Sequence, residues 1–453
     1  MTESNGRRQR IAVIGSGISG LSAAWLLHKS ADVTVYERSR RIGGHTHTVD
    51  VAAGASHTPV DMGFIVYNEQ TYPNLTALFA KLDVATETTD MSLAVALDDG
   101  RLEYAGGHLN QLFAQKRNLV SPRFWRMLLD LARFYRTAPD DLNSLVSNGM
   151  TLGTYLKENQ YSDAFRDDHL LPMAAAIWSM PTSDVLDYPA HAFIQFHDNH
   201  GLLKLTSRPL WRTVTGGSRS YVEKLTSPFK DSIRKGAAIE SVERRSDGIV
   251  LRTSTGQSEQ FDQVVIAAHA DQTLGMLADP TSEERRLLGA FRYNTNQAVL
   301  HGDDRLMPKR RRAWASWNYI GGRQQGAHAD LTVTYWMNSL QPLPNDKPLF
   351  VTLNPNREID RDKVYHTQEF EHPIVDGAAT DAQKQLWSLQ GRQGVWYCGA
   401  YFGAGFHEDG LQSGVAVAEA ISGHKRPWRV TNESGRIHVG LTPQMSSLEG
   451  IAA

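Results

Sequence analysis

The chain has 453 residues, 41% hydrophobic and 21% charged, with a formal net charge of −2. That length exceeds one simple core and suits two intertwined domains. The near-neutral charge gives no sign of a nucleic-acid partner. The single cysteine, Cys398, excludes a disulfide within the chain and fits a reducing compartment, so a cytoplasmic location is expected. No apolar run of about eighteen residues offers a membrane span. The polar start MTESNGRRQR has no signal-peptide character.

From Ile11 the chain reads IAVIGSGISGLSAAWLLHKSADVTVYE. The apolar run Ile11 to Ile14 predicts a buried parallel strand, and Gly15, Gly17 and Gly20 follow it. Leu21, Ala24, Trp25 and His28 then recur at helical spacing, and Val33 to Tyr36 predicts a second strand ending in Glu37. This is the sequence of a dinucleotide-binding unit. Gly15 lets the chain turn out of the strand, Gly17 lets a pyrophosphate approach the backbone, and Gly20 lets the helix pack on the sheet. The helix start at Ile18 and Ser19 presents free N–H groups and partial positive charge to phosphate. Glu37 can accept hydrogen bonds from ribose hydroxyls.

Arg38-Ser39-Arg40-Arg41-Ile42-Gly43-Gly44 follows directly. Together with Glu37 it resembles the Glu…Gly-Gly-Arg element of the flavin-containing amine oxidoreductase superfamily, which includes monoamine oxidases, polyamine oxidases and phytoene desaturases. The resemblance implies FAD, with Arg38, Gly43 and Gly44 beside the cofactor. His45 stands where that family has arginine, which weakens a charge contact but not the backbone ones. Asp61-Met62-Gly63-Phe64 resembles the segment that brings Gly63 and Phe64 near the flavin.

Tyr72 to Leu82 predicts a helix, and Arg101 to Leu205 is expected to be mainly helical. Ser121-Pro122 is a helix start, with serine as cap and proline in the first turn. Phe124, Trp125, Leu128, Leu131, Ala132 and Tyr135 then share one face, for core packing or for the wall of an apolar channel. Ala174 to Met180 continues this apolar region through Trp178. His191, His197 and His200 match no zinc spacing, and no metal site is expected.

Gly216-Gly217 resembles the segment that returns the chain to the FAD domain. Short strands are expected at Ala238-Ile239, Val242-Glu243, Ile249 to Arg252 and Val264 to Ala268. The resemblance implies a β-meander over the adenine, with the Ile239 backbone pairing its edge. The block from Leu287 to Asp376 is rich in aromatics (Trp314, Trp317, Tyr319, Tyr335, Trp336), with strands at Leu331 to Trp336 and Leu349 to Leu353. Lys309 to Arg312 suits a solvated loop or a phosphate headgroup site. Val395 to Ala400 predicts a last strand, followed by a loop and a helix from near Gly410. This resembles the superfamily's C-terminal motif and implies that Gly399, Gly410, Leu411 and Gln412 lie at the flavin, with the helix N-terminus at its N1–O2 edge.

The expected architecture is α/β: a Rossmann-like FAD-binding domain, three-layered with a parallel sheet and β-meander, beside a mixed α+β substrate domain. The first takes residues 1–75, 207–285 and 385–427. The second takes 76–206 and 286–384, and 428–453 is a polar tail. The resemblance is strongest to a bacterial group of predicted FAD-binding oxidoreductases linked to fatty-acyl modification.

The resemblance places a lysine in the stretch Tyr293 to Leu300, where this chain offers Gln297 or Asn296. It places a cage tyrosine where this chain has Leu411. His407 and Tyr401 are candidate catalytic groups before the last helix, since histidine titrates near neutrality. No cysteine occupies the stretch used for covalent attachment, so FAD is expected to be non-covalent. Three readings follow: hydride removal from an apolar, lipid-like substrate with peripheral membrane contact allowed, amine oxidation, or flavin binding without turnover.

Overall fold

A computed structural model describes residues 7–53, 56–178, 185–199, 201–204, 209–322, 332–344 and 347–440 of the protein. Strand β1, Arg10–Ile14, is the middle of a five-stranded parallel sheet. The order is Ile233–Lys235, β2 (Asp32–Glu37), β1, Gln263–Ile266, Val395–Tyr397. The three strands β1, Gln263–Ile266 and Val395–Tyr397 are buried almost throughout, so they read as unbroken apolar runs. Helix α1, Ile18–Leu27, is buried along its whole length. The last helix, His407–Ser422, packs against it: a Cβ on Gly414 would lie 2.1 Å from Ser19 O.

Beside this sheet, Ile239–Arg245, Gly248–Thr253 and Ser258–Phe261 form an antiparallel meander. The third strand is mostly polar, which hid it from the hydrophobic pattern. A second sheet has seven strands, in the order Val364–Ile374, Arg292–His301, Phe350–Leu353, Thr332–Trp336, Trp317–Gly321, Leu93–Leu97, Leu102–Ala105.

Leu102–Ala105 lies in the stretch expected to be helical, yet it pairs in a hairpin with Leu93–Leu97. The turn is made by Asp98, Asp99 and Gly100 at φ of 52°, 54° and 85°, conformations that these residue types tolerate. Val364–Ile374 escaped detection because its residues are largely polar. Ser121 does cap the helix Pro122–Thr137, its Oγ accepting the Phe124 N–H at 3.3 Å. The buried face, however, is Phe124, Met127, Phe134 and Tyr135, and Trp125 and Ala132 turn outward. Phe124 and Trp314 pack in cores rather than in a channel, and Trp336 meets Trp314 edge to face at 5.5 Å. Met180, His200 and the Trp178 side chain lie outside the described residues. Within the expected tail, Trp428 stacks on Trp25 at 5.9 Å and Ile437 is buried.

Two histidines are sealed into these cores. His197 stacks on Phe193 at 4.1 Å, and His301 bonds Thr352 Oγ1 at 2.7 Å while its Nδ1 accepts the Asp303 N–H at 3.1 Å. Burial pulls both down to about 4. The unfolded chain binds protons at both sites as pH falls through 6.5, and the native state does so only near 4. Their stabilising contribution is therefore complete above 6.5 and is lost between 6.5 and 4. Urea unfolding of the protein at stepped pH should show stability falling across that window. His301→Gln should make the slope shallower by up to one proton, about 1.4 kcal/mol per pH unit; an unchanged slope would mean that His301 is not held neutral.

Candidate functional site

The glycine turn after β1 divides its work as the motif demands. Gly15, at φ 104°, would place a Cβ 2.6 Å from Ala267 O, and Gly20 would place one 2.0 Å from Gly15 O. Both are required for packing. Gly17 is different, because a Cβ there meets nothing within 4 Å. Its hydrogen preserves open space. Gly44, at φ 59°, lies against this turn, its Cβ position 2.9 Å from Gly17 Cα. Gly43 donates its N–H to Ser16 O at 2.9 Å. Helix α1 begins after Gly17 with no side-chain cap and no acid in its first turn. The N–H groups at Ile18 and Ser19 thus lack the side-chain partners a capped helix has.

Glu37 closes one end of this cradle. Its carboxylate accepts the N–H and O–H of Ser16 at 3.1 and 2.6 Å and the Ser39 N–H at 2.7 Å. Arg38 beside it is exposed. The Ala237 N–H donates to Glu37 O at 2.8 Å, which brings the start of the meander, with buried Ile239, to the same end. Open glycine space, an uncapped helix and a terminal carboxylate fit the diphosphate and ribose of a dinucleotide.

At the other end the chain crosses itself tightly. The Phe64 N–H donates to His45 O at 2.9 Å, and a Cβ on Gly63 would lie 2.0 Å from that oxygen. Arg41, which precedes the double glycine, braces the loop by donating to Gly44 O at 2.8 Å and Thr46 O at 2.9 Å. The His45 ring lies 5.1 Å from Phe370, 5.4 Å from His372 and 6.4 Å from His269. His407 stacks on Phe64 at 3.9 Å, its Nε2 2.6 Å from Tyr221 Oη, which is 2.5 Å from Thr46 Oγ1.

His45, His269, His372 and His407 are enclosed yet keep some accessible surface, as do Gly15, Gly17, Gly44 and Gly63, so together they outline an internal cleft. Burial pushes His407 down to about 3 and His372 to about 4. It also pushes His45 well below its ordinary value, assisted by His372 and His269 nearby. His269 is lowered by burial against the opposing pull of Glu371, 3.2 Å from its Nδ1. Contrary to the expectation of a titration near neutrality, His407 stays uncharged at pH 7.

Other predicted residues lie elsewhere. Tyr401 is 2% exposed and packs on Phe291 and Phe402 at 5.1 and 5.0 Å, so it faces the core and not the cleft. Strand alternation puts Gln297 on the exposed face and buries Asn296. Asn296 Nδ2 lies 3.0 Å from His372 Nδ1, and its Oδ1 accepts from Asn354 Nδ2 at 2.7 Å.

The last helix begins at His407 rather than near Gly410. Leu411 is fully buried in the core, and the aromatic ring at the helix start is Phe406, stacked on Phe196 at 5.0 Å. Gln412 donates to Glu408 at 2.9 Å and accepts the Arg436 N–H at 3.1 Å. A Cβ on Gly410 would lie 2.8 Å from Ile18 Cγ2, and the Gly399 N–H donates to Ser413 Oγ at 3.0 Å. In the basic run, Lys309 pairs with Asp99 at 2.6 Å and Arg310 with Glu103 at 2.7 Å, while Arg311 and Arg312 are exposed. Arg41, His269, Asn354 and His372 had no motif to announce them, because separate stretches of chain bring them together. Among the described residues, no group of three or more His, Cys, Asp or Glu could hold a metal ion.

These glycines predict two different failures. Gly17→Val should fold, with apoprotein thermal unfolding close to wild type, yet purify colourless because the side chain fills the cradle. Gly20→Val should lose stability outright against Gly15 O. Absorbance at the flavin bands and thermal unfolding, measured together, separate the two; a yellow Gly17→Val protein with full flavin content would remove Gly17 from the site.

Residues 18–305 match the family described as flavin containing amine oxidoreductase. Among solved structures, cyclohexylamine oxidase from Brevibacterium oxydans IH-35A superimposes with a TM-score of 0.65 at 16% identity, covering 91% of this chain and 99% of that one. Putrescine oxidase bound to putrescine gives 0.63 at 13% identity, covering 92% and 99%. A CLA-producing fatty acid isomerase from P. acnes gives 0.61 at 15% identity, again covering 92% and 99%. With the cradle described above, the match over most of its length establishes that this chain belongs to the flavin-containing amine oxidoreductase family and is an FAD-dependent oxidoreductase.

Proposed function

We propose that the protein removes a hydride from an apolar, lipid-like substrate, in the desaturation or isomerisation of a fatty-acyl or polyene chain. The carrying observation is the neutral pair Asn296–His372, 3.0 Å apart, with Asn296 in the strand where the family resemblance places a lysine and His372 on the strand paired with it. Bound FAD supplies the two-electron acceptor. The chain's own residues supply a dry, uncharged surround: His45, His372 and His407 are all held neutral by burial.

The buried carboxylates nearby are already engaged. Asp61 accepts from Ser218, Thr48 and Gln341, Glu408 from Asn74, Leu75 and Gln412, and Asp409 from Arg436. An ammonium group entering here would lose its hydration, and Glu371, the carboxylate beside His269, already accepts from Gln272 at 3.0 Å and lies 3.2 Å from His269 Nδ1. Phe64, Phe370, Phe196 and Phe406 supply apolar surface, and burial of apolar area is what binds a hydrocarbon chain. The fatty acid isomerase among the fold neighbours supports this substrate class.

Amine oxidation is the second reading. The Phe196–Phe406 stack favours it, because an aromatic wall stands at the helix start after all. Cyclohexylamine and putrescine oxidases share the fold.

Anaerobic stopped-flow reduction decides between them. Unsaturated fatty-acyl lipids should bleach the oxidised flavin saturably, and primary amines and polyamines should not. Saturable bleaching by a small amine, with none by lipid, would overturn the proposal in favour of amine oxidation. The only cysteine, Cys398, is fully buried with its thiol pushed up by burial. Acid precipitation should accordingly release all the flavin to the supernatant; colour retained in the pellet would reveal a covalent link.

A further inference from the structure

The helix Pro122–Thr137 presents two unlike faces. Inward lie Phe124, Met127 and Phe134, while outward lie Trp125, 45% exposed, and Leu129, 67% exposed, one turn apart. Leu109, Leu119 and Val120 stand beside them at 74%, 50% and 81% exposure. The Trp125 indole N–H donates to Leu119 O at 2.8 Å, and its ring lies 5.8 Å from Phe113, which follows Leu109 by one helical turn. Single exposed apolar residues need no explanation, but a connected group of them does.

Charge along this segment is one-sided as well. Residues 107–137 contain six Lys or Arg and one acid, Asp130, in a chain whose net charge is −2. Asp130 is buried and bridged to Arg126 and Arg133, and Arg123 pairs with Asp168. Lys116, Arg117 and Arg136 are exposed, with no ion pair among the described residues. An apolar patch with a tryptophan whose N–H is already satisfied, rimmed by cations, matches the interface of an anionic bilayer, where apolar side chains enter the acyl boundary and cations meet headgroups.

We infer that this face docks the protein peripherally on anionic lipid membranes. No described helix is long and apolar enough to cross a membrane, so the contact is superficial. The inference does not depend on which substrate is oxidised, because its test reads binding and not turnover.

The test is co-sedimentation of the holoenzyme with vesicles of phosphatidylcholine containing one-third phosphatidylglycerol, against phosphatidylcholine alone. Binding should require the anionic lipid and weaken as salt rises. Leu129→Asp and Val120→Asp should each lower partitioning at least tenfold, with flavin spectrum and content unchanged. Neutralising Lys116 and Arg117 should lower it about fivefold per charge. The inference is overturned if the wild-type holoenzyme stays in the supernatant, or if the patch variants sediment like wild type. It is equally overturned if the patch variants only abolish self-association of the free protein, which would make the face a contact between two copies.

Discussion

The cofactor site depends on how closely two helices approach each other. Gly20 lets α1 lie on the turn that precedes it, and Gly410 and Gly414 let the last helix lie on α1, with Cβ positions only 2.8 and 2.1 Å from Ile18 and Ser19 atoms. Side chains at any of these places would push the helices apart. Because they are absent, strands and helices separated by nearly the whole chain bring their ends to one cleft. The first helix begins without a capping side chain, and the last begins at His407, inside that cleft.

A second constraint is a buried carboxylate. Asp61 is fully buried and accepts from Ser218 N–H and Oγ, Thr48 Oγ1 and Gln341 Nε2, so one carboxylate ties three distant stretches together. Burial raises it to about 6 in spite of those donors. Such a group is costly to strand without partners, which fixes the register of the Thr48–Ala53 and Ser56–Asp61 hairpin against the Gly216-Gly217-Ser218 turn. Gly217 needs its glycine here, since a Cβ would meet Thr48 Cγ2 at 2.6 Å.

The parts legible in the sequence are those whose physics is local. The β1 run, the three glycines, Glu37 and the Ser121-Pro122 helix start each carry their meaning within a few residues, and each sits where that meaning requires. What failed to show was long-range or decided by one step of register. Asn296 and Gln297 are adjacent, and only sheet pairing says which one points inward. Tyr401 and Leu411 flank the last helix start, but their direction is set by packing against Phe291 and the core, which no motif encodes. The histidine cluster draws on positions 45, 269, 372 and 407, and nothing in the spacing of those residues links them. The polar strand Val364–Ile374 supplies Phe370 and His372 to the cleft, and its polarity is what concealed it.

The start of the last helix shows how charge is disposed around a site that stays neutral. Glu408 and Asp409 occupy its first turn, where the helix dipole favours anions. Neither is left to act as an open anion. Glu408 accepts the N–H groups of Asn74 and Leu75, in the first turn of helix α2, Pro73–Lys81, and so caps a second helix with its own carboxylate. Asp409 accepts the Phe406 N–H at 2.7 Å and pairs with Arg436 at 2.5 Å, holding residues beyond the last helix against its start. Both acids are spent on fixing the orientation of the helix. The group left between them and Phe64 is His407, uncharged and stacked on that ring. Arg41 follows the same logic at the double glycine, where its guanidinium is committed to Gly44 and Thr46 carbonyls and the next side chain toward the cleft is neutral His45. At both places full charges brace the frame from behind, and the side chains toward the cleft, His45 and His407, are neutral rings.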